Sequence, residues 1–132
     1  MSGETSLDQL LCSLSPELLE GEYVFCNARN ARYGDYAEAN PIASFTEAEG
    51  LTLVVLKKAA ERSGLTFQGE FRCITLGVHS SLEAVGLTAT VSGILAENGI
   101  SANIIAAYFH DHIFVPAQVA SDALGILLAL NK

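Results

Sequence analysis

Two extended runs, "SANIIAAYF" (residues 101–109) and "HIFVP" (residues 112–116), are separated only by the dipeptide "HD". That is too little chain for a crossover, so the two runs must form an antiparallel hairpin with His110 and Asp111 at or near its turn. The rest of the fold has to fit around this hairpin. Upstream, "FRCITLGV" alternates and sets Ile74, Leu76 and Val78 on one face of a strand. Between that strand and the hairpin, Leu87, Val91, Ile94 and Leu95 recur at helical spacing, and "ENG" closes the helix with Gly99 just beyond its end. Val119, Ala123, Ile126, Leu127 and Leu130 mark a final amphipathic helix. Residues 71–132 therefore read β-α-β-β-α, the ferredoxin-like order without its last strand.

The N-terminal half is less regular. Leu7, Leu10, Leu11 and Leu14 share a helix face, Ser6 and Gln9 have the spacing of a capping box, and Pro16 ends the run. "GEYVFC" and "IASF" read as strands, and "LTLVVL" as a buried strand entered through a Glu49–Gly50 turn whose glycine supplies a positive φ. "KKAAERSG" is a short helix terminated at Gly64. The intervening "NARNARYGDYAEANP" has no periodicity and reads as a long loop, with Arg29, Arg32, Tyr33 and Tyr36 solvated on it. No Gly-Pro linker divides the chain. The expectation is one compact α+β unit, with residues 1–70 as an N-terminal half whose strands extend the sheet of residues 71–132 or cover its edge.

Composition narrows the function. A chain of 132 residues, half apolar and 17% charged, has the means for a sizeable core. A net charge of −8 with seven basic residues spread along the chain argues against nucleic-acid binding. "MSGETSLDQLLCSL" lacks the basic and long apolar regions of a secretory leader, and no run is apolar enough to span a membrane. Three widely spaced cysteines in apolar surroundings fit a reducing compartment. These features point to a soluble, cytoplasmic protein, and no cofactor is expected.

Two segments carry candidate chemistry. "VHSSLEAVGLTA" leads from the first strand of the C-terminal half into a helix, whose leading N–H groups and dipole favour a carboxylate. Ser80, Ser81 and Thr88 offer hydroxyls there, Gly86 permits close backbone approach, and Ser80 with Glu83 also has capping-box spacing. In "FHDH", His110 and His112 could join His79 around a metal, or a His–Asp pair could act as acid and base. No C-x-x-C, H-E-x-x-H or G-x-S-x-G pattern supports either chemistry, and Asp111 is also an ordinary turn residue.

"HSSLEAVGLTATVSGILAENGISANIIAAYFHDHIFVP", with "GEYVFC", "IASFTEAEGLTLV" and "FRCITL" upstream, resembles the ACT-domain superfamily from about Leu10 onward. More narrowly, it is similar to small bacterial stand-alone ACT-like proteins, which share features with the ACT modules of cytosolic arginine sensors. The resemblance implies a ferredoxin-like fold, a homodimer or higher homo-oligomer, and a non-catalytic regulatory role as an amino-acid sensor. It implies a ligand site with Ser80, Ser81, Glu83, Val85, Gly86 and Leu87 on one wall. It also implies that Asp111 stands opposite and holds the ligand ammonium, with Tyr108 and His110 nearby. Two alternatives use the same residues: an association module without a ligand, and a metal-dependent enzyme built on His110 and His112.

Overall fold

The computed structural model describes residues 6–131, so the first five residues of the stretch read against a secretory leader lie outside it. The chain divides into two compact units, Gly21–Phe71 and a second made of the segment up to Glu20 together with Arg72–Lys132. The expected 1–70 half is thus split, because the segment ahead of Gly21 packs with the C-terminal residues.

That C-terminal unit contains α1 (Leu7–Cys12), β1 (Pro16–Leu18), β5 (Phe71–Leu76) from its second residue onward, α3 (Leu87–Glu97), β6 (Asn103–Ala106), β7 (Asp111–Pro116) and α4 (Ala120–Leu130). Its strands lie in the order β1-β5-β7-β6. The hairpin forms as its short connection requires, with Ile104 opposite Ile113 and Ala106 opposite Asp111. β1 occupies the place of the final strand that the ferredoxin-like order lacks, pairing antiparallel with β5 through Pro16↔Leu76 and Leu18↔Ile74. Pro16 therefore opens a strand rather than ending the helix, which stops at Cys12, and it does so on a sheet edge, where a residue without an N–H is tolerated.

One apolar cluster holds this unit together. Ile74, Leu76, Ile113 and Val115 from the sheet meet Leu87, Val91 and Leu95 of α3 and Ala123 and Leu127 of α4, all buried. Leu10 and Leu14 enter the same cluster with no exposed surface. The helix stops at Cys12, yet Leu14 still reaches the core, because Ser15 turns with a φ of 52° and Val78 N–H bonds the Leu14 carbonyl at 3.3 Å. Ser6 takes the N-cap position without the side-chain bond that a capping box needs.

The Gly21–Phe71 unit contains β2 (Tyr23–Ala28), a 3₁₀ turn at Ala37–Ala39, β3 (Ala43–Glu47), β4 (Gly50–Leu56) and α2 (Lys57–Ser63). β4 lies between β3 and β2. This central place explains its unbroken apolar run, since Leu51, Leu53, Val54 and Val55 are all buried. Val24, Cys26, Leu53, Val55, Ala59 and Ala60 form a separate core, onto which Tyr36 and Ala39 of the long loop pack. Phe25 and Phe71 meet edge to face at 5.3 Å. Among the described residues no helix is long and apolar enough to cross a membrane.

Candidate functional site

β5 runs out at Leu76, and residues 77–86 pass through turns before α3 begins at Leu87. Gly86 is the N-cap, with a φ of 99° that disfavours other residues, and the first helical bond is Thr90 N–H to the Gly86 carbonyl at 2.9 Å. The N–H groups of the first turn consequently lack partners within the helix. The Ser80–Glu83 capping box does not form, because the helix starts several residues later. Instead the Ser80 hydroxyl donates to the Ser81 carbonyl at 3.2 Å, and Ser81 Oγ accepts the Glu83 N–H at 3.1 Å.

The hairpin connection lies beside this loop. His110 Nδ1 is 3.3 Å from the Val78 carbonyl oxygen, and a carbonyl only accepts, so the contact requires the Nδ1–H form of the imidazole. The His79 and Phe109 rings stack at a tilt with centroids 5.1 Å apart. Asp111 is not a turn residue: it opens β7, pairs with Ala106, and is only 8% exposed. Strand alternation puts its side chain on the face of Ile113 and Val115, the face covered by the helices. Asp111 therefore lies on the same face and at the same end of the unit as the start of α3.

The site residues differ in what they present. Ser80, Ser81 and Asp111 are buried, whereas Glu83 is exposed and Val85 and Tyr108 are 82% and 60% exposed. Leu87 points into the core and leaves only its backbone to the loop. Leu7 was not foreseen. Its Cδ2 lies 3.3 Å from where a Cβ on Gly86 would stand, so α1 covers part of the close approach that this glycine allows. No local pattern announces that contact, since the two residues are far apart in sequence.

Burial pushes the Asp111 carboxyl above its usual range, against the opposing pull of His112 and His110. Burial likewise lowers His112, whose Nδ1 meets Thr75 Oγ1 at 2.9 Å. Among the described residues no three His, Cys, Asp or Glu side chains are grouped closely enough to hold a metal. A carboxyl whose folded pKa is raised binds its proton more tightly in the folded state, so its ionisation weakens the fold as pH rises through that pKa. Asp111→Asn should therefore raise Tm at neutral pH, with the gain fading as the buffer is acidified until Asp111 itself is neutral. A gain that persisted undiminished into acid, in scans across pH, would show that ionisation is not its cause.

The architecture is that of a ferredoxin-like α+β protein with a buried-polar strand–helix loop. Models of the ACT domain match residues 2–72 and residues 68–129. The chain belongs to the ACT domain family. A Vibrio cholerae protein of unknown function, described as a "possible transport protein", is 52% identical, with a TM-score of 0.87 over 97% of this chain and 98% of its own. A protein from Agrobacterium tumefaciens has the same fold at 16% identity and a TM-score of 0.72, covering 88% of this chain and 87% of its own. The ligand-free regulatory subunit of aspartate kinase from Thermus thermophilus does so at 10% and 0.63, covering 92% of this chain and 99% of its own. None of the curated proteins matches.

Proposed function

We propose that this chain is a non-catalytic regulatory protein that binds an amino acid or a similar small zwitterionic metabolite. The site is the β5–α3 loop, with Ser80, Ser81, Glu83, Val85 and the backbone of Gly86 and Leu87, facing Asp111 with Tyr108 and His110 beside it. One observation carries this reading. Among the described residues the buried polar side chains are Ser80, Ser81 and Asp111, all belonging to that loop and to the β7 start beside it. Burying a carboxylate without a cationic partner is costly, and a ligand ammonium at Asp111 would offset the cost. The unpartnered amides at the start of α3 suit the carboxylate at the other end of the same molecule. The fold shared with aspartate kinase regulatory subunits agrees with a regulatory role.

A second copy of the chain is the proposed partner. Leu82, Val85, Tyr108 and Phe109 leave a large apolar surface exposed on the loop and hairpin that border the site. A copy seated there would shield the ligand from water. Thermal shift with each common amino acid tests the binding, and light scattering on the same samples reads the assembly. A ligand at 100 times its Kd should stabilise the fold by about 2.7 kcal/mol. Asp111→Asn should remove that shift while remaining folded. If no amino acid raises Tm, the ligand reading is wrong, and a monomer at ligand saturation would remove the shared interface.

A further inference from the structure

The Gly21–Phe71 unit repeats the strand arrangement of its neighbour in sequence. β5, β6 and β7 lie in the order β6-β7-β5, and β2, β3 and β4 lie in the order β3-β4-β2, with residues 29–42 in the place of α3. In both units the exit of the first strand meets the hairpin joining the other two. Val78 and His79 meet His110 and Phe109 in one. In the other, Ala28 and Arg29 lie against Gly50.

The second junction opens into a cleft of about 550 Å³ lined by Asn27, Arg29, Asn30, Arg32, Glu47 and Glu49, among others. That volume falls within the range of small-molecule sites, roughly 300–1,000 Å³. The lining is unusual for a chain of net charge −8, because two of its seven basic residues stand close together on one loop. Among the described residues neither guanidinium has a hydrogen bond or an ion pair. Asp35, the nearest acid in sequence, instead accepts the backbone N–H of Arg32 at 2.8 Å, which fixes the bend of the loop. Glu47 is also engaged, since it accepts the Thr52 hydroxyl. Glu49 is left as the remaining acid of the lining.

We propose that this cleft binds a small metabolite through one oxyanion, a carboxylate or a phosphate. Arg29 and Arg32 hold the oxyanion, and the Asn27 and Asn30 amides donate to it. Guanidinium groups suit both anions because their N–H fork matches paired oxygens. Glu49 and the negative field of the chain disfavour further anionic groups, so the rest of the molecule is uncharged or cationic. The proposal does not depend on the Asp111 site, which belongs to the other unit and uses none of these residues.

Titration of the ¹⁵N-labelled full chain with sodium acetate, inorganic phosphate and, at matched ionic strength, sodium chloride tests it. The Arg29 and Arg32 Nε–H signals and the Asn30 amide should move saturably with acetate or phosphate and not with chloride. The anion that saturates identifies the group recognised. Arg29→Gln with Arg32→Gln should weaken binding by about ten-fold or more, the loss expected when charge-assisted hydrogen bonds are removed. Glu49→Gln should tighten it. Signals of Ser80–Leu87 and Asp111 report the other site separately. Shifts that rise linearly and equally with all three salts, or saturable shifts that survive the double substitution, would overturn the proposal.

Discussion

Leu14→Ala is expected to destabilise the C-terminal unit by about 2–5 kcal/mol, the range for emptying a fully buried leucine site. Leu14 has no exposed surface and sits in the same cluster as Leu87, Leu95, Ile113 and Leu127. Its loss should therefore resemble that of Leu95→Ala, although Leu14 lies more than fifty residues ahead of β5. The backbone around it is tied in as well. Gly77 N–H bonds the Ser15 carbonyl at 2.9 Å, and Leu19 N–H bonds the Cys73 carbonyl at 2.9 Å. Urea unfolding of the two variants makes the comparison. A cost below about 0.5 kcal/mol, the scale of ordinary surface substitutions, would show that α1 and β1 are appended to this unit rather than built into it.

That expectation marks where local reading of the sequence stops. α3, α4 and the β6–β7 hairpin were legible because each is specified by its own periodicity or by a connection too short for any alternative. α2 was legible for the same reason, together with Gly64 at its end. β1 was not. A three-residue strand carries no period, and its identity comes only from pairing with β5, which no short window contains. The leucine spacing to Leu14 was read as helix throughout, whereas Leu14 reaches the same core from a turn. Burial of a residue follows from tertiary position, and a spacing rule detects only one of the routes to it.

The candidate site was legible in part. The hairpin set Asp111 at or near its turn, and resemblance to the family selected Ser80 and Ser81 and set Asp111 opposite them. Its geometry differs in ways that local chemistry could not reveal. Asp111 reads as a turn former, but β-pairing with Ala106 draws it into the sheet and turns its carboxyl toward the helices. Ser80 and Glu83 read as a cap, but the helix waits for Gly86. Arg29 and Arg32, outside that site, are exposed as their loop composition suggests, and the approach of the β3–β4 hairpin makes a cleft beside them.

That approach depends on one backbone position. Gly50 has a φ of 133°, a conformation that side chains rarely adopt. A Cβ there would lie 2.7 Å from the Ala28 carbonyl oxygen and 3.0 Å from Arg29 Cα, both backbone atoms at the end of β2. A flexible side chain could swing aside, but these atoms are held by the β2–β4 ladder, in which Ala28 pairs with Leu51. Gly50→Ala thus incurs about 1–3 kcal/mol of backbone strain and about 1–3 kcal/mol of overpacking, roughly 2–6 kcal/mol together. Gly64 provides the comparison. Its φ is 70°, but a Cβ there would meet nothing within 4 Å, so Gly64→Ala should cost only about 1–2 kcal/mol. Chemical denaturation of both variants separates conformation from contact. Equal losses would mean that glycine is required at position 50 for its φ alone, and that the hairpin is free to stand away from β2.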